Sequence, residues 1–226
     1  MKYYLGGYFL INIRDSSSLD SVRKYLHTAS TCINDSLLDG WSLSWVKNNE
    51  GELAKAMENF SVQVIQGWAD EKFNEGKILW LEIFSDLKTL AEYRALFPDL
   101  DQKNLRALAI YFTEPDRDRL LSTFEVNDGS SGDPGLKIML SRQIEDTKSG
   151  DTIGYDLIGV EHHGQFHSFH CHDLAGELDR KLAVKLNGFG LIADDANRDA
   201  LLEMMNDSDN GFEPVPWFFV KVKMYS

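Results

Sequence analysis

Ile153-Gly-Tyr-Asp-Leu-Ile-Gly-Val-Glu161-His162-His163-Gly164-Gln-Phe-His167-Ser-Phe-His170-Cys171-His172 decides how this chain is read. Two runs rich in β-branched, aromatic and apolar residues, 153–162 and 165–172, flank His163-Gly164. A two-residue connection containing glycine is a strong hairpin signal. With His163 and Gly164 as the turn, Val160 faces His167, Ile158 faces Phe169 and Leu157 faces His170. Alternation along the strands then puts His170 and His172 on one face and His167 and Cys171 on the other.

Five of the six histidines lie between 162 and 172. His170 and His172 form a His-x-His pair whose β-carbons sit roughly 6–7 Å apart along a strand, a spacing that supplies two ligands to a divalent metal. A third ligand would have to come from elsewhere in the chain. Cys171 points away from both histidines, and no imidazole lies within the ~3 Å that thiol activation requires. It therefore reads as a buried structural thiol.

Outward from the hairpin, strand and helix patterns interleave irregularly. Tyr3–Ile13 is apolar on both faces and broken by Gly6-Gly7, as expected of a buried central strand with a bulge. Serines 16–18 and Asp20 can cap a polar helix to about Ser30, and Trp41–Val46 suits a short strand. Leu53, Ala56, Met57, Phe60, Val64 and Trp68 keep a helical stripe that runs to about Glu75, where Gly76 stops it.

Ile78–Phe84 reads as a strand and Leu87–Phe97 as a helix ended by Pro98. Leu105–Phe112 fits either state. Thr113-Glu-Pro-Asp116 is a helix start, with a capping hydroxyl, a proline in the first turn and an acid three residues after the cap. Leu174–Leu186 repeats leucine every fourth residue, Gly188–Ile192 suits a short strand, and Asp195 can cap a helix to about Asn206. In Val215–Tyr225, Phe218, Val220, Val222 and Met224 share one face with Lys221 and Lys223 opposite, as expected of a last strand with a buried side and a solvated distal end.

These elements give an α+β fold with a mixed, largely antiparallel sheet and packed helices. The turn-rich run 127–135 is the clearest break. It leaves either a single domain over 1–226 or two packed lobes, 1–126 and 136–226, joined there.

The composition is 43% hydrophobic and 12% aromatic, with 36 acids against 23 bases and a net charge of −13. That balance argues against nucleic acid and in favour of a basic partner. From Asp194 to Glu213 there are seven acids and one base, Arg198. Asp195, Asp199 and Glu203 recur at four-residue spacing, with Asp207 and Asp209 beyond them, and these five are the candidate partner-binding residues. No apolar run is long enough to span a bilayer. The N-terminal run lacks a small-residue cleavage pattern, so a cytoplasmic location with free thiols at Cys32 and Cys171 is expected.

Several motifs fail on spacing. Gly132-Asp-Pro-Gly135-Leu-Lys137 is not a phosphate loop, and Asp207–Glu213 has its glycine one position early for a calcium loop. No nucleophile elbow or dinucleotide fingerprint is present.

An acidic α+β chain in which Gly154-Tyr-Asp-Leu-Ile-Gly-Val-Glu161 leads into Phe166-His-Ser-Phe-His-Cys-His-Asp173 resembles the bacterial immunity proteins encoded beside polymorphic or contact-dependent toxins. The resemblance covers about the C-terminal third. It implies a cognate toxin, often a nuclease, bound tightly in the cytoplasm; no cofactor is expected beyond a possible divalent metal at the histidine pair. Those families share no residue code, so it assigns no functional residue. The alternative expectation is a metal-dependent hydrolase in which His170 and His172 hold the ion and lower the pKa of a bound water.

Overall fold

A computed structural model describes residues 1–12, 14–15, 24–25, 51, 54–55, 61–80, 83–97, 105–125, 133–169 and 175–225. The fold is α+β: among the described residues, six helices pack on a seven-stranded antiparallel sheet. In chain order the elements are β1 (Tyr3–Asn12), β2 (Arg14–Asp15), β3 (Lys24–Tyr25), α1 (Val62–Asn74), β4 (Ile78–Leu79) and β5 (Ile83–Phe84). Next come α2 (Leu87–Ala95), β6 (Leu105–Thr113), α3 (Glu114–Glu125), α4 (Gly135–Ser141), β7 (Asp151–Val160) and β8 (Phe166–Ser168). The chain closes with α5 (Ala175–Leu182), α6 (Arg198–Asn206) and β9 (Trp217–Tyr225).

The sheet order is β4-β5-β1-β6-β9-β7-β8, and β2 pairs with β3 alone. Its centre joins strands from both sides of 127–135, because β6 lies against β9 from Ala107↔Tyr225 to Tyr111↔Lys221. Phe9 of β1 and Phe166 of β8 meet edge to face at 6.0 Å. Four strand intervals, roughly 19 Å in a flat sheet, separate their backbones. The sheet therefore curls around that face.

The curled face carries Phe9, Ile110, Phe112, Ile158, Val160, Phe166, Phe218 and Val220. It is filled by Leu120 and Phe124 of α3 and by Leu136, Met139 and Leu140 of α4. The opposite face is covered in two parts. α1 and α2 bury Ile65, Ala69, Leu90 and Tyr93 over Leu10 and Phe84. α5 and α6 bury Leu178, Leu201, Met204 and Met205 over Leu157, Trp217 and Phe219.

The bulge expected at the β1 glycines lies between Leu5 and Gly7. A β-carbon on Gly7, whose φ is +145°, would meet the Ile83 side chain at 2.2 Å, so glycine is what admits β5 this close. Thr113 caps α3 reciprocally: its Oγ1 accepts from the Asp116 amide and donates to Asp116 Oδ2 at 2.8 Å. α1 stops at Gly76, with φ +66°.

Several expectations change. Within Ile78–Phe84, Ile78–Leu79 and Ile83–Phe84 are two short antiparallel strands, and Leu105–Thr113 is a strand. Lys24–Tyr25, expected within a helix, is a strand paired with Arg14–Asp15, and the rest of that expected helix, 16–23 and 26–30, lies outside the described residues. α5 ends at Leu182 because Ala183 turns left-handed, φ +54°, and the amides of Ala183 and Val184 close on Asp179 and Leu178. Leu186 then leaves the helix to bridge Ile192, which also pairs with Tyr155. The expected strand at Trp41–Val46 lies outside the described residues, as do Cys32, His170, Cys171 and His172.

Candidate functional site

The acidic segment is built on α6. Leu201, Met204 and Met205 turn inward onto Trp217 and Phe219, which directs the polar residues of the same helix outward. Asn206 locks the helix end to β9: its Oδ1 accepts from the Trp217 amide at 2.9 Å, and its Nδ2 donates to the Leu202 carbonyl at 2.8 Å. Asp207 caps the following 3₁₀ turn, Ser208–Asn210, accepting from the Asp209 amide at 3.0 Å. Asn210 Nδ2 reaches back to the Met204 carbonyl at 3.1 Å. Gly211, at φ +72°, turns the chain towards β9.

On this scaffold Asp194, Asp195, Asp199, Glu203, Asp207 and Asp209 are all exposed, and Glu213 is half-buried. Arg198, the one base of the segment, is shared between the core and one ridge carboxylate. Its Nη2 donates to Asp116 Oδ2 at 2.7 Å, and its Nη1 to Asp199 Oδ1 at 2.7 Å. The ridge is therefore nearly all carboxylate. Its field reaches the sheet. The Tyr3 phenol is pushed up to about 12 by burial first, with Tyr155 and Asp195 adding to it. Tyr155 moves in the same direction through burial and then Asp195.

One feature of the ridge differs from expectation. α6 begins at Arg198, with Asn197 as its cap position, so Asp195 lies in the preceding turn and not on the helix. Its carbonyl accepts from the Arg198 amide at 3.1 Å. The carboxylates share a surface through this turn, and only Asp199 and Glu203 have helical four-residue spacing.

The hairpin exists, with a shifted register. β7 and β8 pair as Ile158↔Ser168, Gly159↔His167 and Val160↔Phe166. The Glu161 amide donates to the Gln165 carbonyl at 2.7 Å, leaving His162-His163-Gly164 as the loop, with Gly164 at φ +91°. A turn followed by a left-handed glycine is the usual three-residue hairpin loop. The extra residue flips β8 relative to β7. Phe166 and Ser168 join Ile158 and Val160 in the curled core, while His167 and Phe169 join Leu157 and Glu161 on the other face.

That flip gives His167 carboxylate neighbours. Its Nε2 lies 2.7 Å from Glu161 Oε1 and its Nδ1 3.5 Å from Glu213 Oε2, with the imidazole buried. His163 Nε2 lies 3.1 Å from the other Glu161 oxygen. Glu161 thus clamps the loop and the strand, and the contact with Glu213 ties the hairpin to the end of the acidic segment. Among the described residues, no group of three His, Cys, Asp or Glu side chains is arranged to hold a metal. His170 and His172, the candidate ligand pair, are outside those residues.

Two further polar centres had no strong signal in the sequence. Lys221 and Lys223 do not face open solvent: Lys223 is 3% exposed. Both ammonium groups converge on Asp146, at 2.9 and 2.7 Å, and Lys223 also donates to the Thr147 carbonyl at 2.7 Å. The Lys221 ammonium sits 3.5 Å from the Tyr3 ring centroid. Asp156 is buried in the core beside Val220, where Ser168 Oγ donates to it at 2.9 Å. Burial pushes its carboxyl up to about 7, with the Ser168 hydrogen bond pulling the other way.

Among the described residues, no helix is long and apolar enough to cross a membrane. Compared with known proteins, the chain matches no family model, no curated protein and no solved structure.

Proposed function

We propose that this is a binding protein that takes hold of a basic protein partner through the carboxylate ridge 194–213. The observation that carries the reading is the fate of Arg198. The single cation of the segment pairs with buried Asp116 and with Asp199, so the other five exposed carboxylates face solvent on a ridge fixed to the core by Asn206 and Asn210. Rigid, largely uncompensated charge of this kind favours fast association and selects against acidic competitors. The resemblance to immunity proteins supplies the kind of partner: a toxin domain inhibited by being covered, in the cytoplasm and without a cofactor.

The test is capture from native-host lysate at low and high salt, using protein whose tag carries no histidine, followed by association kinetics with whatever basic protein is retained. In the triple variant Asp195→Asn, Asp199→Asn, Glu203→Gln the association rate at low salt falls by at least tenfold, as expected when steering charges are removed. A rate equal to that of the parent at low salt sinks the ridge as the docking face.

A further inference from the structure

Away from the ridge, a cavity of about 440 Å³ opens between α2 and the end of β9. Leu87, Leu90 and Ala91 line its helical wall, and their spacing, i, i+3 and i+4, gathers them on a single apolar helix face. Met224 and Tyr225 line the sheet side. The volume is in the range of small-molecule sites.

Asp151, the first residue of β7, brings a carboxylate to the same cavity beside Met224, its cross-strand partner. Among the described residues, that carboxylate takes no hydrogen bond and no ion pair. The ammonium groups of the adjoining strand, Lys221 and Lys223, are held by Asp146. The Tyr225 hydroxyl is engaged with that of Tyr111, so Tyr225 offers the cavity its ring, and an aromatic ring attracts a cation. Gly150 lets the chain before β7 pass close to that ring. At φ +74°, a β-carbon there would lie 2.8 Å from it. Arg94, also at the cavity, already has an interaction of its own, and a cationic ligand asks nothing of it. The chain's charge of −13 draws cations and repels anions.

We propose that this cavity is a binding site for an organic monocation with an apolar body, of which an arylalkyl ammonium is the simplest form. The ammonium lies between Asp151 and the Tyr225 ring, and the apolar body on Leu87, Leu90 and Met224. The site is separate from the ridge and its occupancy does not depend on a protein partner.

The experiment is titration calorimetry of the full chain at pH 7 with phenethylamine, with 2-phenylethanol, which has the same shape and no charge, and with 3-phenylpropionate, which is an anion. Phenethylamine binds one to one with a dissociation constant below about 1 mM. The alcohol binds at least about tenfold more weakly, and the anion more weakly still. Asp151→Asn, a change at an exposed and unpaired carboxylate, weakens phenethylamine by about tenfold or more at unchanged melting temperature. Ala91→Phe, which fills the apolar wall, abolishes binding. No saturable binding of phenethylamine, equal or tighter binding of the alcohol or the anion, or an Asp151→Asn affinity equal to the parent's overturns the proposal.

Discussion

Asp116 in the first turn of α3 holds Arg198 in the first turn of α6 at 2.7 Å across 82 residues of sequence. The same carboxylate closes the cap of α3 through Thr113. A group that the local sequence uses to start one helix thus anchors another, and with it the acidic ridge.

Removing that carboxylate leaves the Arg198 guanidinium partly buried without its main partner. Asp116→Ala should therefore destabilise the fold by about 3 kcal/mol, in the range for breaking a buried pair from one side. Asp116→Asn retains some of the hydrogen bonding and should cost less. Urea unfolding of both variants checks the order, and an Asp116→Ala midpoint matching the parent refutes the anchor.

Asp156 predicts a pH dependence of opposite sign to ordinary acid denaturation. Its carboxyl is raised by burial from 3.8 to about 7. Below the unfolded value both states are protonated and the contribution is fully present. As pH climbs through the window up to about 7, the unfolded chain ionises first and stability is lost, on the order of 4 kcal/mol in all. Asp156→Asn should remove this slope and gain on the parent at pH 8. Denaturation midpoints of the two proteins at pH 5 and pH 8 measure it, and parallel pH profiles contradict it.

The Asp146 centre predicts an asymmetry. Asp146→Ala strands two ammonium groups on a crowded face, Lys223 fully buried and Lys221 mostly so, and should cost about 3 kcal/mol or more. Lys223→Met replaces one ammonium with apolar volume while Lys221 keeps Asp146, and should cost markedly less. If the two variants unfold at the same denaturant concentration, the shared carboxylate is not the keystone of this centre.

At the hairpin tip Gly164 has φ +91°, and a β-carbon there would meet Pro134 at 2.4 Å. Gly164→Ala combines left-handed strain with a clash against the Pro134 ring and should cost about 2 kcal/mol. Its local effect should appear as faster amide exchange at Glu161 and Gly164, whose amides close the loop. Unchanged exchange there would show that the tip does not depend on glycine.

The elements legible in advance are those whose signal is local. Thr113-Glu-Pro-Asp116 started a helix as expected, and the β1 bulge sits at its glycines. The alternation of Phe218, Val220 and Val222 placed one face of β9 correctly. Lys221 and Lys223 were misplaced because lysine carries no mark of a distant carboxylate, and Asp146 reaches them only across the folded sheet. The hairpin was legible as a hairpin, but its register turned on a single loop residue. That one residue moved His167 from the face of Ile158 and Val160 to that of Glu161, and made a buried acid–imidazole contact from what had looked like a row of separate histidines.

The sequence by itself determined the fold class, the antiparallel hairpin, the capping of α3 and the concentration of charge between Asp194 and Glu213. Each depends on residues within a turn or two of one another, where backbone geometry limits the choices. Only the tertiary structure decided the partners of the charged groups: Arg198 with Asp116, the two lysines with Asp146, His167 with Glu161, and Asp156 with Ser168. Burial raises the cost of an unpaired charge, so packing selects these partners, and the chain separation between them hides the choice from any local reading.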